Sequence, residues 1–314
     1  GASFAACGYA QVSGKPGVAY ATSGPGATNL VTGIANAYFD SIPSVFITCQ
    51  VNTNEAKGNY GVRQRGFQET DIISICRSIT KYAVYVDDPY KIRYFLDSAF
   101  DIAMDGRRGP VLLDIPMNIF RAEIDPYALT SAEPIIKANL GFNDYPQIRN
   151  SALDSSKRPC IILGNGIKMS GMQDKVQAAI KALGIPVLTS MTAVDLLPDY
   201  ALNYGFIGAY GNRTANVIAS KSDLVISLGS RLDIRQVGAI RDSFASNAKV
   251  IRFDIDKGEL EYKVHDDEIQ IYCGMDEALH VIESATQVRD YHEWVSVCEE
   301  IRNLLKDTDR SKIG

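Results

Sequence analysis

Histidine is scarce in this chain: His265, His280 and His292 are the only three among 314 residues. None stands beside a nucleophile motif or a second metal-ligand candidate, which argues against a histidine-based triad or a zinc site, and no metal ligand set is expected. The six cysteines (Cys7, Cys49, Cys76, Cys160, Cys273, Cys298) never approach metal-knuckle or redox-motif spacing. Several lie in apolar stretches, as in SVFITCQ and PCIIL, so they read as buried free thiols in a reducing compartment. A basic surplus is also lacking: 32 Lys and Arg face 37 Asp and Glu, a net charge of −5, which argues against a nucleic-acid binder. No apolar run approaches the roughly 18–20 residues that cross a bilayer. The opening GASFAACGYA has neither a basic n-region nor a signal-type core, so a cytoplasmic location is expected, with no membrane partner. Short internal repeats and low-complexity segments are absent as well.

What is present is an alternation of strands and helices. GVAYAT (17–22), SVFITCQ (44–50) and GPVLLDIP (109–116) read as strands, the last a continuous apolar run suited to a parallel sheet covered on both faces. Apolar residues recur at helical spacing over 27–39 and 90–104. Between strand and helix lies NTNEAKGNYGVRQRG, too long and too rich in Gly and Asn for a simple turn, and so a functional or mobile loop. After a polar, proline-punctuated passage come further strands: RPCIILGNG (158–166), PVLTS (186–190), DLVISLGSR (223–231), KVIRFDID (249–256) and IQIYCG (269–274). Helices are expected over 172–183, 275–284 and 291–305. The fold class is therefore α/β, with two consecutive three-layer α/β domains and mostly parallel sheets. The expected boundaries are 1–124 for the first domain, 125–156 for a linker, 157–290 for the second domain and 291–314 for a closing helix and linker.

The sharpest local signal is TSGPGATN (22–29), directly after a strand and directly before a helix. Gly24 and Gly26 permit a tight turn and close approach of a ligand, and Pro25 fixes one dihedral. The same residues also suit a plain strand-to-helix turn, and both readings stay open, although ligands in open α/β sheets bind outside the carboxyl ends of strands. GNGIKMSG (164–171) is a second strand-terminal glycine loop but does not fit G-x-G-x-x-G. With GSRLDIR (229–235) and FDID (253–256) it offers glycines, Arg231 and Arg235 for phosphate or adenine, and Asp254 for a ribose hydroxyl. Equally, these acids and arginines could pair with one another at the sheet rim. RQRGFQETD (63–71) reads either as a site loop or as a solvated loop with Thr70 or Asp71 capping the next helix. Asp40, Asp114 and the pairs Asp87-Asp88 and Asp266-Asp267 read as turn or strand-end residues.

Taken in order, GASFAACGYAQVSGKPGVAYATSGPGATNLVTGIANAYFDSIPSVFIT, GFQETDI, SITKY and GRRGPVLLDIP resemble the pyrimidine-binding domain of thiamine diphosphate enzymes, in the acetolactate synthase-like branch. LGNGIK, GFIGAYGN, LGSRLDIR and IRFDID resemble that family's central domain. The resemblance covers essentially the whole chain. It implies an enzyme that condenses 2-oxo acids, releasing carbon dioxide from pyruvate to give acetolactate, with thiamine diphosphate and Mg2+ as cofactors of the full-length enzyme. Family members carry a catalytic glutamate two residues before the position of Gly1, and a GDG motif with an Asn-rich magnesium stretch in a third domain. Neither is in this sequence, so the resemblance implies part of such an enzyme, inactive by itself.

By the same resemblance, Gly24, Pro25, Gly26 and Asn29 lie near the pyrimidine ring, and Phe67, Gln68 and Lys81 face the reacting centre or its access channel. Arg107 matches an arginine that contacts FAD in FAD-containing members. Gly164, Gly166, Ser190, Met191, Gly208, Ala209, Tyr210, Gly211, Gly229, Arg231, Asp233, Arg235, Asp254 and Ile255 fall where the flavin and its ADP part lie. The chain departs from the pattern at Gly208-Ala209-Tyr210-Gly211, where acetolactate synthases have Gly-Met-His-Gly, and at Cys273-Gly274, where they have Gly-Asp. FAD, ADP or nothing therefore remain open for the central domain. Cys7 stands where an acid is usual. The family's thiamine site forms between subunits, which implies a homodimer or tetramer through the pyrimidine-binding domain, and a regulatory subunit is a further expected partner. The alternatives are a 2-oxo acid or oxalyl-CoA decarboxylase or aldehyde lyase of the same superfamily, and a non-catalytic nucleotide-binding or dimerisation module.

Overall fold

A computed structural model describes residues 1–135, 155–285 and 290–310. The chain divides into two units, Gly1–Ala138 and Asn139–Gly314. Most of the expected linker 125–156 falls on 136–154, outside the described residues.

The first unit holds a four-stranded sheet in the order β1-β2-β4-β3, every pairing parallel. Its strands are β1 (Gly17–Ala21), β2 (Ser44–Gln50), β3 (Tyr82–Tyr85) and β4 (Pro110–Pro116). Its helices are α1 (Ala2–Ser13), α2 (Pro25–Thr28), α3 (Val31–Phe39), α4 (Ile72–Cys76), α5 (Ile92–Met104) and α6 (Met117–Phe120). Helices cover both faces. Ala6, Ala10, Leu30, Ile34, Phe46, Ile72 and Leu112 form one core, and Val45, Ala99, Ala103, Val111, Leu113 and Ile115 form the other. The central strand β4 is buried at every position, which is why it reads as an unbroken apolar run. β1 lies at an edge and alternates instead: Val18 and Tyr20 are exposed while Gly17 and Ala19 are buried.

The second unit holds a six-stranded sheet in the order β10-β9-β8-β5-β6-β7, again all parallel. Its strands are β5 (Pro159–Leu163), β6 (Val187–Thr189), β7 (Asn203–Phe206), β8 (Leu224–Leu228), β9 (Lys249–Asp254) and β10 (Ile269–Tyr272). Its helices are α7 (Gly166–Ser170), α8 (Gln173–Leu183), α9 (Arg213–Lys221), α10 (Ile234–Val237), α11 (Lys257–Glu261), α12 (Met275–Ala285) and α13 (His292–Arg310). Successive strands run outward from β5 to β7, then return to β5's other side with β8. The order therefore reverses between β5 and β8. The expected α/β class is the one observed, with two parallel sheets each sandwiched by helices.

Details differ from the sequence reading. The helix expected over 27–39 is two pieces, because Asn29 ends α2 and Leu30 starts α3 with a fresh turn. β3 and β7 were not foreseen: YAVY is only partly buried, and NYGF is interrupted by Gly205 at a positive φ of 98°. α13 does not stand apart from the second domain. Trp294 and Cys298 enter its core, and the Trp294 indole donates to the Pro159 carbonyl at 2.9 Å. All six cysteines are free, and five are buried. Burial pushes the Cys76 thiol up to about 11 and the Cys160, Cys273 and Cys298 thiols up to about 12, so they behave as core residues. Cys7 fills the α1–α3 contact with its Sγ 3.6 Å from the Gly33 carbonyl, a place where a carboxylate would be costly to bury.

Candidate functional site

The loop after β1 stands at the carboxyl end of the first sheet. Gly24 and Ala27 are buried beneath it, whereas Pro25, Thr28 and Asn29 are exposed and Gly26 is half-buried. Gly24 has φ 63° and ψ −127°, a conformation that a side chain disfavours. A Cβ there would meet Gln68 Cβ at 2.6 Å and the Gln68 carbonyl oxygen at 2.9 Å. The 23–29 turn and the FQET stretch, 44 positions apart for Gly24 and Gln68, are thus in direct contact. Gln68 itself has a positive φ of 60°, uncommon for a residue with a side chain, and Phe67 beside it turns its ring outward at 82% exposure.

The long loop 51–71 has no regular secondary structure, and carboxylates hold its form. Glu69 accepts from the Lys57 amide at 2.7 Å and the Arg65 amide at 2.9 Å. Burial alone would raise its pKa, but these backbone donors outweigh it and hold the carboxyl below its ordinary range. Asp71 caps α4 by accepting from the Ser74 amide at 3.0 Å, and the hydrogen bonds from Ser74 lower its pKa. Of the two caps expected, Asp71 is therefore the one used. Beneath the loop lies Asp114, expected as a turn or strand-end residue but buried within β4. Asp114 accepts from Thr48 Oγ1 at 2.6 Å and from Gln50 Nε2 at 3.1 Å, and Gln50 Nε2 also donates to the Thr70 carbonyl at 2.7 Å. An acidic residue inside the apolar run PVLLDIP was the available signal.

Lys81 and Arg107 are not brought to this end. Lys81 immediately precedes β3 and Arg107 lies three residues before β4, so both sit at the amino edge of the parallel sheet. Lys81 Nζ donates to the carbonyls of Ile102 and Asp105 at 2.5 Å each, tying down the end of α5. Burial lowers its pKa. Arg107 Nε donates to Ser41 Oγ at 2.9 Å.

In the second unit, the expected residues gather at the carboxyl ends of β5, β6, β7, β8 and β9. The β5 and β8 loops touch backbone to backbone where the strand order reverses. Gly166 N donates to the Gly229 carbonyl at 3.0 Å, and a Cβ at Gly164 would lie 2.0 Å from that oxygen. Gly208-Gly211 rests on the α10 turn: Ala209 N donates to the Arg235 carbonyl at 2.8 Å, and the Arg235 guanidinium is 6.0 Å from the Tyr210 ring centre. Ser190 is buried and Met191 exposed. Arg231 pairs with Asp233 at 3.0 Å and Glu259 at 3.7 Å, so the rim pairing weighed as an alternative is present. Asp233 also caps α10, accepting from the Arg235 amide at 2.9 Å. Asp254 accepts from the Asp256 amide at 2.9 Å, and Ile255 is 39% exposed. Below this rim, Arg252 is buried and pairs with Glu268 at 3.0 Å. His280 and His292 lie exposed on helices, and His265 Nε2 is hydrogen-bonded to the Phe244 carbonyl oxygen at 2.6 Å. No described helix is long and apolar enough to cross a membrane. Among the described residues no three His, Cys, Asp or Glu side chains cluster as a metal site.

Comparison with known proteins finds one family profile within each unit. Residues 1–75 match the profile described as thiamine pyrophosphate enzyme, N-terminal TPP binding domain, and residues 150–282 match thiamine pyrophosphate enzyme, central domain. The chain is 39% identical over 272 residues to a probable acetolactate synthase large subunit of Methanococcus aeolicus, covering 85% of this chain and 44% of that protein. It is 37% identical over 315 residues to the acetolactate synthase large subunit of Corynebacterium glutamicum, covering 96% and 48%. Against the acetolactate synthase isozyme 2 large subunit of Escherichia coli it is 31% identical over 306 residues, covering 96% and 53%. The chain thus spans about half the length of the curated relatives it matches. Two parallel α/β units, each matching its domain profile in the right order, place this chain in the thiamine pyrophosphate enzyme family, among relatives that are acetolactate synthase large subunits.

Proposed function

We propose that the chain supplies the pyrimidine-binding and central parts of a thiamine diphosphate-dependent carboligase that condenses 2-oxo acids, pyruvate giving acetolactate with release of carbon dioxide. The observation that carries this reading is the contact of the Gly24 turn with Gln68 at the carboxyl end of a parallel sheet, beside the outward-turned Phe67 ring. A planar pyrimidine suits this surface. Backbone at Gly24 and Gly26 permits close approach, Asn29 offers an amide, and Phe67 offers an apolar face. Thiamine diphosphate, held with Mg2+, supplies a nucleophilic carbon and an electron sink for loss of carbon dioxide. The chain's own residues orient the ring, present Gln68 to the reacting acid and exclude water.

The central unit suits the ADP portion of a cofactor. Its glycine loops meet at the strand-order reversal, with Arg231 and Arg235 at hand for phosphates and Asp254 for a ribose. FAD or ADP is the proposed occupant, and Arg107 is a proposed flavin contact. Assembly as a homodimer or tetramer through the first domain, association with a regulatory subunit, and a cytoplasmic location belong to the same reading. The test is to assay the full-length protein with pyruvate, thiamine diphosphate and Mg2+. Acetolactate is expected; free acetaldehyde alone, or no turnover of any 2-oxo acid, overturns the proposal. Flavin absorbance near about 450 nm, or calorimetric binding of ADP, tests the central unit.

A further inference from the structure

Asp114 is an expensive residue for its position. Its side chain is buried near the carboxyl end of β4, a strand otherwise made of apolar residues, and both side-chain donors that reach it, Thr48 and Gln50, are neutral. Burial raises its pKa, Thr48 and Gln50 pull it back in part, and the nearby charge of Asp71 adds to the rise. An apolar residue would serve the strand better, so the carboxylate has another use.

That use is visible in what Asp114 does to Gln50. The Gln50 amide is fixed end for end: Nε2 points at Asp114 and at the Thr70 carbonyl, and Oε1 accepts from the Val51 amide at 2.9 Å. Thr70 Oγ1 in turn donates to the Gln68 carbonyl at 3.2 Å, and Gln68 packs on Gly24. Glu69 secures the same segment from its outer side through Lys57 and Arg65. The segment that carries Phe67 and Gln68 is therefore hung from two carboxylates, one buried and one near the surface.

We infer that Asp114 is a positioning residue: acting through Gln50, it sets the Phe67–Thr70 segment against the Gly24 turn and so fixes the groups that face cofactor and substrate. The inference rests on the carboligase reading for its consequence but not for its geometry. Asp114→Asn leaves one oxygen for two donors: kept on Thr48, it presents its N–H2 to the Gln50 N–H2, and Gln50 must rotate and release Thr70; turned to Gln50, it reverses the Thr48 hydroxyl instead. Gln50→Met keeps the shape and severs the same link while leaving Asp114 bound to Thr48.

In the full-length protein, amide hydrogen exchange over 66–71 should accelerate about tenfold in both variants, and the thiamine diphosphate Kd or the KM for pyruvate should rise about ten- to a hundredfold. Leu112→Ala, a cavity in the same strand, supplies the contrast: it lowers Tm without a selective change over 66–71. Wild-type exchange over 66–71 in both variants overturns the inference, as does a change that merely follows Tm as in Leu112→Ala. Acetolactate formation by the wild type with that negative result overturns this inference alone. Selective loosening of 66–71 in the variants, with a wild type that turns over no 2-oxo acid, overturns the carboligase reading and leaves the link from Asp114 intact.

Discussion

Gly24 and Gln68 are in contact so close that the glycine has no room for a methyl group: a Cβ at Gly24 would stand 2.6 Å from Gln68 Cβ. Gly24→Ala also meets strained backbone at φ 63°, ψ −127°. The variant should lose roughly 1–3 kcal/mol of stability. More telling, it should weaken thiamine diphosphate binding in the full-length protein, since Gln68 must shift to accept it. Calorimetry with thiamine diphosphate and Mg2+ checks this.

Gly164 and Gly229 make the corresponding contact in the second unit, with a separation of 2.0 Å for an added Cβ at Gly164. Here the obstruction is a carbonyl oxygen, which cannot rotate away. Gly164→Ala should cost about 1–3 kcal/mol or more and should also weaken binding of ADP or FAD. Urea unfolding followed at Trp294, whose ring lies in this unit's core, reads the stability effect.

Arg252 is 1% exposed and Glu268 is fully buried, their charges 3.0 Å apart. Arg252 also donates to the carbonyls of Arg231, Glu259 and Tyr262, tying the loop after β8 to α11 and its C-terminal end. Arg252→Met should lose about 3–5 kcal/mol, because Glu268 is left charged and unpaired. Adding Glu268→Gln should recover part of that loss. Denaturant titration of the single and double variants gives the coupling.

Asp71 makes stability depend on acid. Its folded pKa lies below the unfolded reference of 3.8, so its stabilisation is present above that value and is lost as pH falls through the folded pKa. Asp71→Ala should cost about 1 kcal/mol at neutral pH through loss of the α4 cap. The gap between variant and wild type should close as pH falls below 3.8 and through the lowered folded pKa. Asp71→Asn keeps a capping oxygen and should show no such convergence. Thermal melts across this range measure it.

The strands buried on both faces were legible in the sequence, because β4, β5 and β8 need an unbroken apolar run and have one. So were the glycine-ended loops, whose composition is local. β3 and β7 were not, since short, partly buried strands leave little periodicity. The amino-edge position of Lys81 follows from β3, so it stayed hidden with that strand. Nor was the Gly24–Gln68 contact legible: it exists only once β1, β2 and β4 align their carboxyl ends. The Asp114–Gln50–Thr70 chain is tertiary for the same reason, although an acid inside PVLLDIP marked its place.

The central claim is that the turn 23–29 and the segment 67–68 form one cofactor-facing surface. Hydrogen–deuterium exchange of the full-length protein, with and without thiamine diphosphate and Mg2+, tests it most directly. Protection concentrated on 22–29 and 66–70 is the predicted result; bound cofactor that leaves both segments exchanging as before would contradict it.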